Sequence, residues 1–125
     1  MEYVSVRGID VPALGCGTAP LDGKQCYESV RHALDCDYRH IDTAQMYDNE
    51  SEVGRAVSDA SVPREDIFIV TKVHKRNLAP ADLLSSVRRS RERLQVETVD
   101  LLLIHAPSRT VPVEESIGTM NRLQS

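Results

Sequence analysis

At 125 residues with a net charge of −4, the chain has room for one small core and presents no basic surface for a nucleic-acid backbone. Its composition, 41% hydrophobic and 27% charged, is that of a soluble globular domain, and no apolar run approaches the roughly 18–20 residues that span a bilayer. The N-terminus "MEYVSVRGID" lacks the charged-then-apolar order of a signal peptide, so a cytoplasmic setting is expected, with neither membrane nor nucleic acid as partner.

"YVSVRGIDVPALG" opens as a hairpin that alternates around an Arg7–Asp10 turn, and "ALGCGT" follows as a short strand. Asp22 and Gln25 have capping-box spacing, and Cys26, Val30, Ala33 and Leu34 then form one apolar helical face. "YRHID" is a second strand, ending on Asp42. Asn49 and Glu52 repeat the capping-box spacing ahead of a helical stripe of Val53, Ala56, Val57 and Ala60. After the loop "SVPRED", the run "IFIVTKV" is β-branched and apolar, as a strand covered on both faces should be. Pro80 starts a helix lined inside by Leu83, Leu84, Val87 and Leu94, with Arg88, Arg89, Arg91, Glu92 and Arg93 as mostly solvated charge. "TVDLLLIHAP" is the fourth strand, and Pro112 opens a last helix through "VEESIGTMNRLQ". His32, Cys36 and His40 lie four apart, but His40 falls beyond the helix of the other two and no fourth ligand is evident. Cys16, Cys26 and Cys36 therefore read as free thiols, and no metal site is expected.

Strand and helix alternate four times without a linker, which predicts an α/β fold with a parallel sheet. An open doubly wound sheet is one candidate, since "GCGTAP" begins like a dinucleotide-binding GxGxxG and Asp42 could hold a ribose. Against it, Pro20 takes the third glycine position and the helix starts only after Asp22, leaving a pyrophosphate without a helix N-terminus. The other candidate is a (β/α)8 barrel of TIM type, of which these are the first four βα units behind the N-terminal hairpin. Its strands would end at Gly17-Thr18, Asp42, Lys72 and His105. Taken singly, Asp42 could cap a turn, Lys72 could snorkel and His105 could close a loop. Together at successive strand mouths they suit polar reduction of a carbonyl, given a hydride donor. Tyr47 would give the proton, Lys72 would favour its phenolate, Asp42 would hold Lys72, and His105 would bond the substrate oxygen.

"YRHIDTAQMYDNESEVGRAV" resembles the first signature of the aldo-keto reductases, and "LGCGT", "VTKV" and "DLLLIHAP" look like that family's first, third and fourth strands. The resemblance covers essentially the whole chain. It implies a (β/α)8 reductase of aldehydes and ketones that uses NADPH, or NADH, with Asp42, Tyr47, Lys72 and His105 as the catalytic tetrad and Tyr47 as general acid. Gly17, Thr18, Ala19 and Asp42 would lie by the nicotinamide. Asp37 stands where the signature usually has glycine, and Ala106 where many relatives carry a large aromatic. A barrel of this class takes about 250 residues, so residues 1–125 would be its N-terminal, catalytic half. The later strands with the remaining cofactor contacts would then be absent. The alternative is an inactive half-barrel remnant, or an interaction module that self-associates or pairs with a second half through open sheet edges such as Gly15–Thr18 and Leu101–His105.

Overall fold

Arg7 and Gly8 both take positive φ, 51° and 81°, the left-handed pair that a two-residue hairpin loop requires. Strand β1 (Tyr3–Val6) therefore pairs antiparallel with β2 (Ile9–Pro12), with Val6 opposite Ile9. The turn closes one residue earlier than an Arg7–Asp10 turn would, because that alternative would put β-branched Ile9 at a left-handed position. The computed structural model describes residues 1–124.

Four parallel strands follow in sequential order, β3 (Cys16–Gly17), β4 (His40–Asp42), β5 (Phe68–Val73) and β6 (Leu101–Ile104). Between and after them run α1 (Gly23–Asp35), α2 (Glu50–Asp59), α3 (Pro80–Leu94) and α4 (Val113–Gln124), each packed on the next. Strand alternation divides the side chains. Ile41, Ile69, Val73, Leu102 and Ile104 join the helix-side core with Val30, Leu34, Val53, Leu83, Val87 and Leu94. Asp42 and Lys72 alternate with these and take the opposite face. Sequential strand order with the helices in one layer is the wall of a (β/α)8 barrel, and it excludes the doubly wound sheet. The hairpin lies across the amino ends of the strands, where His40 Nδ1 is 3.1 Å from the Pro12 carbonyl oxygen.

Three local expectations need correction. Neither capping box forms: Asp22 and Asn49 make no side-chain cap bond, and the Asn49 amide turns inward to partners on other elements. Leu84 is exposed, because the buried stripe of α3 runs through Leu83, Ser86, Val87, Ser90 and Leu94, about 100° around the helix from it. Arg93, expected as solvated charge, reaches back to a buried carboxylate on α2. Asp37 does stand at a backbone position suited to glycine, with φ of 70° in the turn before β4, and it pairs there with Arg39.

Helices α2 and α3 pack closely at Gly54, where an added Cβ would run into the Arg93 carbonyl oxygen and the Leu94 backbone. Gly54→Ala should therefore cost at least ~2 kcal/mol by forcing backbone apart. Gly118, inside α4 with nothing near its missing Cβ, should gain ~0.5–1 kcal/mol as alanine. Urea unfolding of the two variants checks the opposite signs.

Candidate active site

Parallel register sets the floor of the site. Gly17 lies beside Asp42, Asp42 beside Val70, and Lys72 two residues further along β5 lies beside Leu103. With the period of two, this brings the Asp42 and Lys72 side chains to one face at the carboxyl ends of their strands. Lys72 Nζ donates to Asp42 Oδ1, to the Thr43 carbonyl oxygen at 3.2 Å and to the Tyr47 hydroxyl at 3.3 Å. The ammonium also lies 4.9 Å from the Tyr47 ring centre. Tyr47 comes from a single 3-10 turn, Gln45–Tyr47, that follows β4. The His105 ring meets that of Tyr47 edge to face, centroids 5.6 Å apart and planes at 88°. Asp42, Tyr47, Lys72 and His105 thus converge, with Lys72 between the acid and the phenol.

Burial disfavours the ammonium of Lys72. The hydrogen bonds to Asp42 and Tyr47, and the fields of those groups, outweigh that effect and hold its pKa above the ordinary lysine value. The lysine therefore stays charged throughout the neutral range. His105 Nδ1 is buried and without a hydrogen-bond partner among the described residues, an imidazole nitrogen left unsatisfied at the site.

The first βα loop divides its roles. Gly17 and Ala19 are exposed at the strand end, and a Cβ on Gly17 would meet nothing within 4 Å, so an open ledge lies beside the Asp42 carboxylate. A flat ring could approach the backbone there, so Gly17, Ala19 and Asp42 could hold a nicotinamide. Thr18 is fully buried, with its amide and its hydroxyl both donating to the Asp42 carbonyl oxygen at 3.1 Å. It braces β3 against β4 and turns no donor toward the ledge.

The sequence profile of the aldo/keto reductase family matches residues 13–125. The chain belongs to that family. It is 45% identical over 107 residues to methylglyoxal reductase DkgB of Escherichia coli O157:H7, which covers 84% of this chain and 40% of the relative. A glycerol 2-dehydrogenase (NADP(+)) of Hypocrea jecorina is 43% identical over 112 residues, 84% of this chain and 35% of the relative. A solved structure provisionally named 2,5-diketo-D-gluconic acid reductase B superposes with a TM-score of 0.95 at 41% identity, over 99% of this chain and 44% of that one. The chain thus spans well under half the length of these aldo/keto reductases, and its four βα units are part of their barrel.

Sequence reasoning missed two buried polar residues near Asp42, Tyr47 and Lys72. Asn49, wholly buried, donates to the Thr18 and Leu21 carbonyl oxygens at 3.0 and 2.9 Å and accepts from the Thr43 hydroxyl at 2.6 Å. Glu50, 2% exposed, accepts from Thr71, Ser90 and Arg93. A signal was present: Glu50, Val53, Gly54 and Val57 share one helical stripe, so a carboxylate sat on the face read as apolar.

The lysine's raised pKa fixes the sign of a pH effect. Its pairing stabilises the fold fully below the unfolded value of 10.5 and is lost as pH rises through the higher folded value. Urea unfolding should show wild type more stable than Lys72→Met by a constant margin up to about pH 10, with the margin closing at higher pH. A margin that widens above pH 10 would contradict the pairing.

Proposed function

We propose that these residues form the catalytic half of an NADPH-dependent carbonyl reductase, NADH being the alternative donor, that converts aldehydes and ketones to alcohols with Tyr47 as general acid. The observation that carries the reading is Lys72 Nζ bonded at once to Asp42 and to the Tyr47 hydroxyl, 3.3 Å away. When bound, the reduced nicotinamide supplies the hydride. Tyr47 gives its phenolic proton to the carbonyl oxygen as negative charge gathers there, and the Lys72 ammonium stabilises the phenolate left behind. Asp42 keeps the ammonium in place. His105, beside the Tyr47 ring, bonds the substrate oxygen and sets its approach. Thr18 and Asn49 hold the ledge of Gly17 and Ala19 level with Asp42. The NADP(+) in one relative's name and the methylglyoxal in another's support NADPH and small aldehydes as the chemistry. A reduced nicotinamide pool and thiols that are all free also suit a cytoplasmic setting.

A second reading, an association module, is favoured by the open side of the sheet. Leu101 and Leu103 are 42% and 38% exposed, and β6 is paired on one edge alone among the described residues. In the reading preferred here, that face takes the later strands of a barrel, which carry the remaining cofactor contacts. Positioned acid catalysis is worth ~10²–10⁴-fold, and it acts only on a substrate already set against the donor.

The 125-residue chain alone should therefore show no steady NADPH oxidation with methylglyoxal, and activity should appear when it is fused to, or mixed with, the later strands of the E. coli relative. Tyr47→Phe in that assembly should lower turnover by ~10²–10⁴-fold with NADPH binding little changed. Near-normal turnover of the variant would assign the acid elsewhere. Steady activity of the isolated, monodisperse chain would overturn the need for a second half.

A further inference from the structure

Tyr47 rides on one turn of 3-10 helix, too short to be rigid by itself, between extended Ala44 and left-handed Asp48 at φ 54°. Its backbone bonds are local and long, Tyr47 N–H to the Ala44 carbonyl oxygen at 3.2 Å and Asp48 N–H to that of Gln45 at 3.3 Å. What fixes the turn against the sheet is the side chain of its first residue. Gln45 Oε1 accepts from the His74 amide at 2.9 Å and from Asn77 Nδ2 at 3.0 Å, and Gln45 Nε2 donates to Ser90 Oγ at 3.2 Å. Its amide thus makes three of the four bonds open to it. His74 and Asn77 lie in the turn that follows β5, just past Lys72, and Ser90 lies on α3.

Ser90 continues the chain of bonds. Its hydroxyl donates to Glu50 Oε1 at 3.2 Å, where Arg93 also donates through Nε at 2.9 Å and a terminal nitrogen at 2.7 Å. Glu50 Oε2 accepts from the Thr71 hydroxyl at 2.6 Å, and Thr71 directly precedes Lys72. Glu50 is the first residue of α2, where the helix dipole also favours a carboxylate. The segment bearing Tyr47 is therefore fastened at both ends, by Gln45 to the turn that follows β5 and to α3, and by Glu50 to β5 itself and to α3.

We propose that Gln45 is the positioning residue for the Tyr47 phenol, setting its distance to Lys72 through the bonds to His74, Asn77 and Ser90. At 3.3 Å the phenol–ammonium contact is near the long end of the hydrogen-bond range, so a shift of a few tenths of an ångström breaks it. The functional meaning rests on Tyr47 being the acid, as proposed above. The contact itself can be tested without turnover.

The readout is the side-chain titration of Lys72, followed by NMR in lysine-labelled chain, with Lys24 on α1 as the internal standard. Tyr47→Phe removes one of the three hydrogen bonds that hold the ammonium, so its midpoint should fall. Gln45→Ala should produce the same fall, and the double variant no further fall, because both changes break one contact. General loosening of the fold would not make the two effects coincide. If Gln45→Ala leaves Lys72 at its wild-type midpoint while Tyr47→Phe lowers it, the positioning role is overturned and the Lys72–Tyr47 pair stands. Additive falls overturn it too, since Gln45 would then act by another route. If neither substitution moves Lys72, the pair itself is wrong and the positioning role falls with it. Should Gln45→Ala fail to fold, Gln45→Met fills the same space without hydrogen bonds and carries the same test.

Discussion

Placing an ammonium in a half-buried strand end costs several kcal/mol unless an anion and further acceptors meet it, and the mouth of this sheet is organised around that demand at Lys72. Asp42 supplies the charge, Thr43 a carbonyl oxygen and Tyr47 a hydroxyl. Each comes from β4 or from the few residues after it, so the ion pair joins two neighbouring strands as well as assembling a site. The same arrangement explains why the phenol stands where it does. A tyrosine beside a fixed ammonium has an electrostatic partner for its ionised form, which neither a solvated tyrosine nor a solvated lysine provides.

Loops at strand ends are ordinarily the mobile parts of an α/β protein, and here two buried polar residues oppose that tendency. Asn49 joins the loop after β3, through the carbonyl oxygens of Thr18 and Leu21, to Thr43 at the end of β4. Glu50 joins the start of α2 to β5 and α3 through Thr71, Ser90 and Arg93. Both are almost fully withdrawn from water, where removing one partner leaves a costly unsatisfied group. Such networks suit a single geometry, since a half-satisfied arrangement is worse than none. The close approach of α2 to α3 at Gly54 serves the same end by bringing Arg93 within reach of Glu50.

The two faces of the sheet differ in completeness. Toward the helices, the residues are buried in two clusters, one with Ile41 and Ile69 against α1 and α2 and one with Val73 against α3. Toward the other side, Leu101 and Leu103 on β6 remain substantially exposed, and they follow the same alternation as Lys72 on β5. That asymmetry matches a chain covering 40% and 44% of two aldo/keto reductase relatives. Among the described residues no helix is long and apolar enough to cross a membrane.

The amino-acid sequence by itself determined the order of strands and helices, the apolar stripes of Cys26–Leu34 and Val53–Val57, and the ionisable residues Asp42, Lys72 and His105 at the ends of three strands. Those depend on local periodicity and on the polar punctuation between elements. The motif from Arg39 to Val57, with the runs around Lys72 and His105, also carried the family. What only the tertiary structure decided was the use of the polar side chains in between. Asn49 reads as a helix cap, since in isolation its nearest unpaired groups are the amides of its own helix. In the fold it is buried beside Thr18, Leu21 and Thr43, and its amide bonds to them instead. Gln45 and Glu50 likewise acquire partners 21 to 45 residues away. No local pattern encodes such contacts, because strand register and helix packing bring those groups together and burial forces each to find a partner.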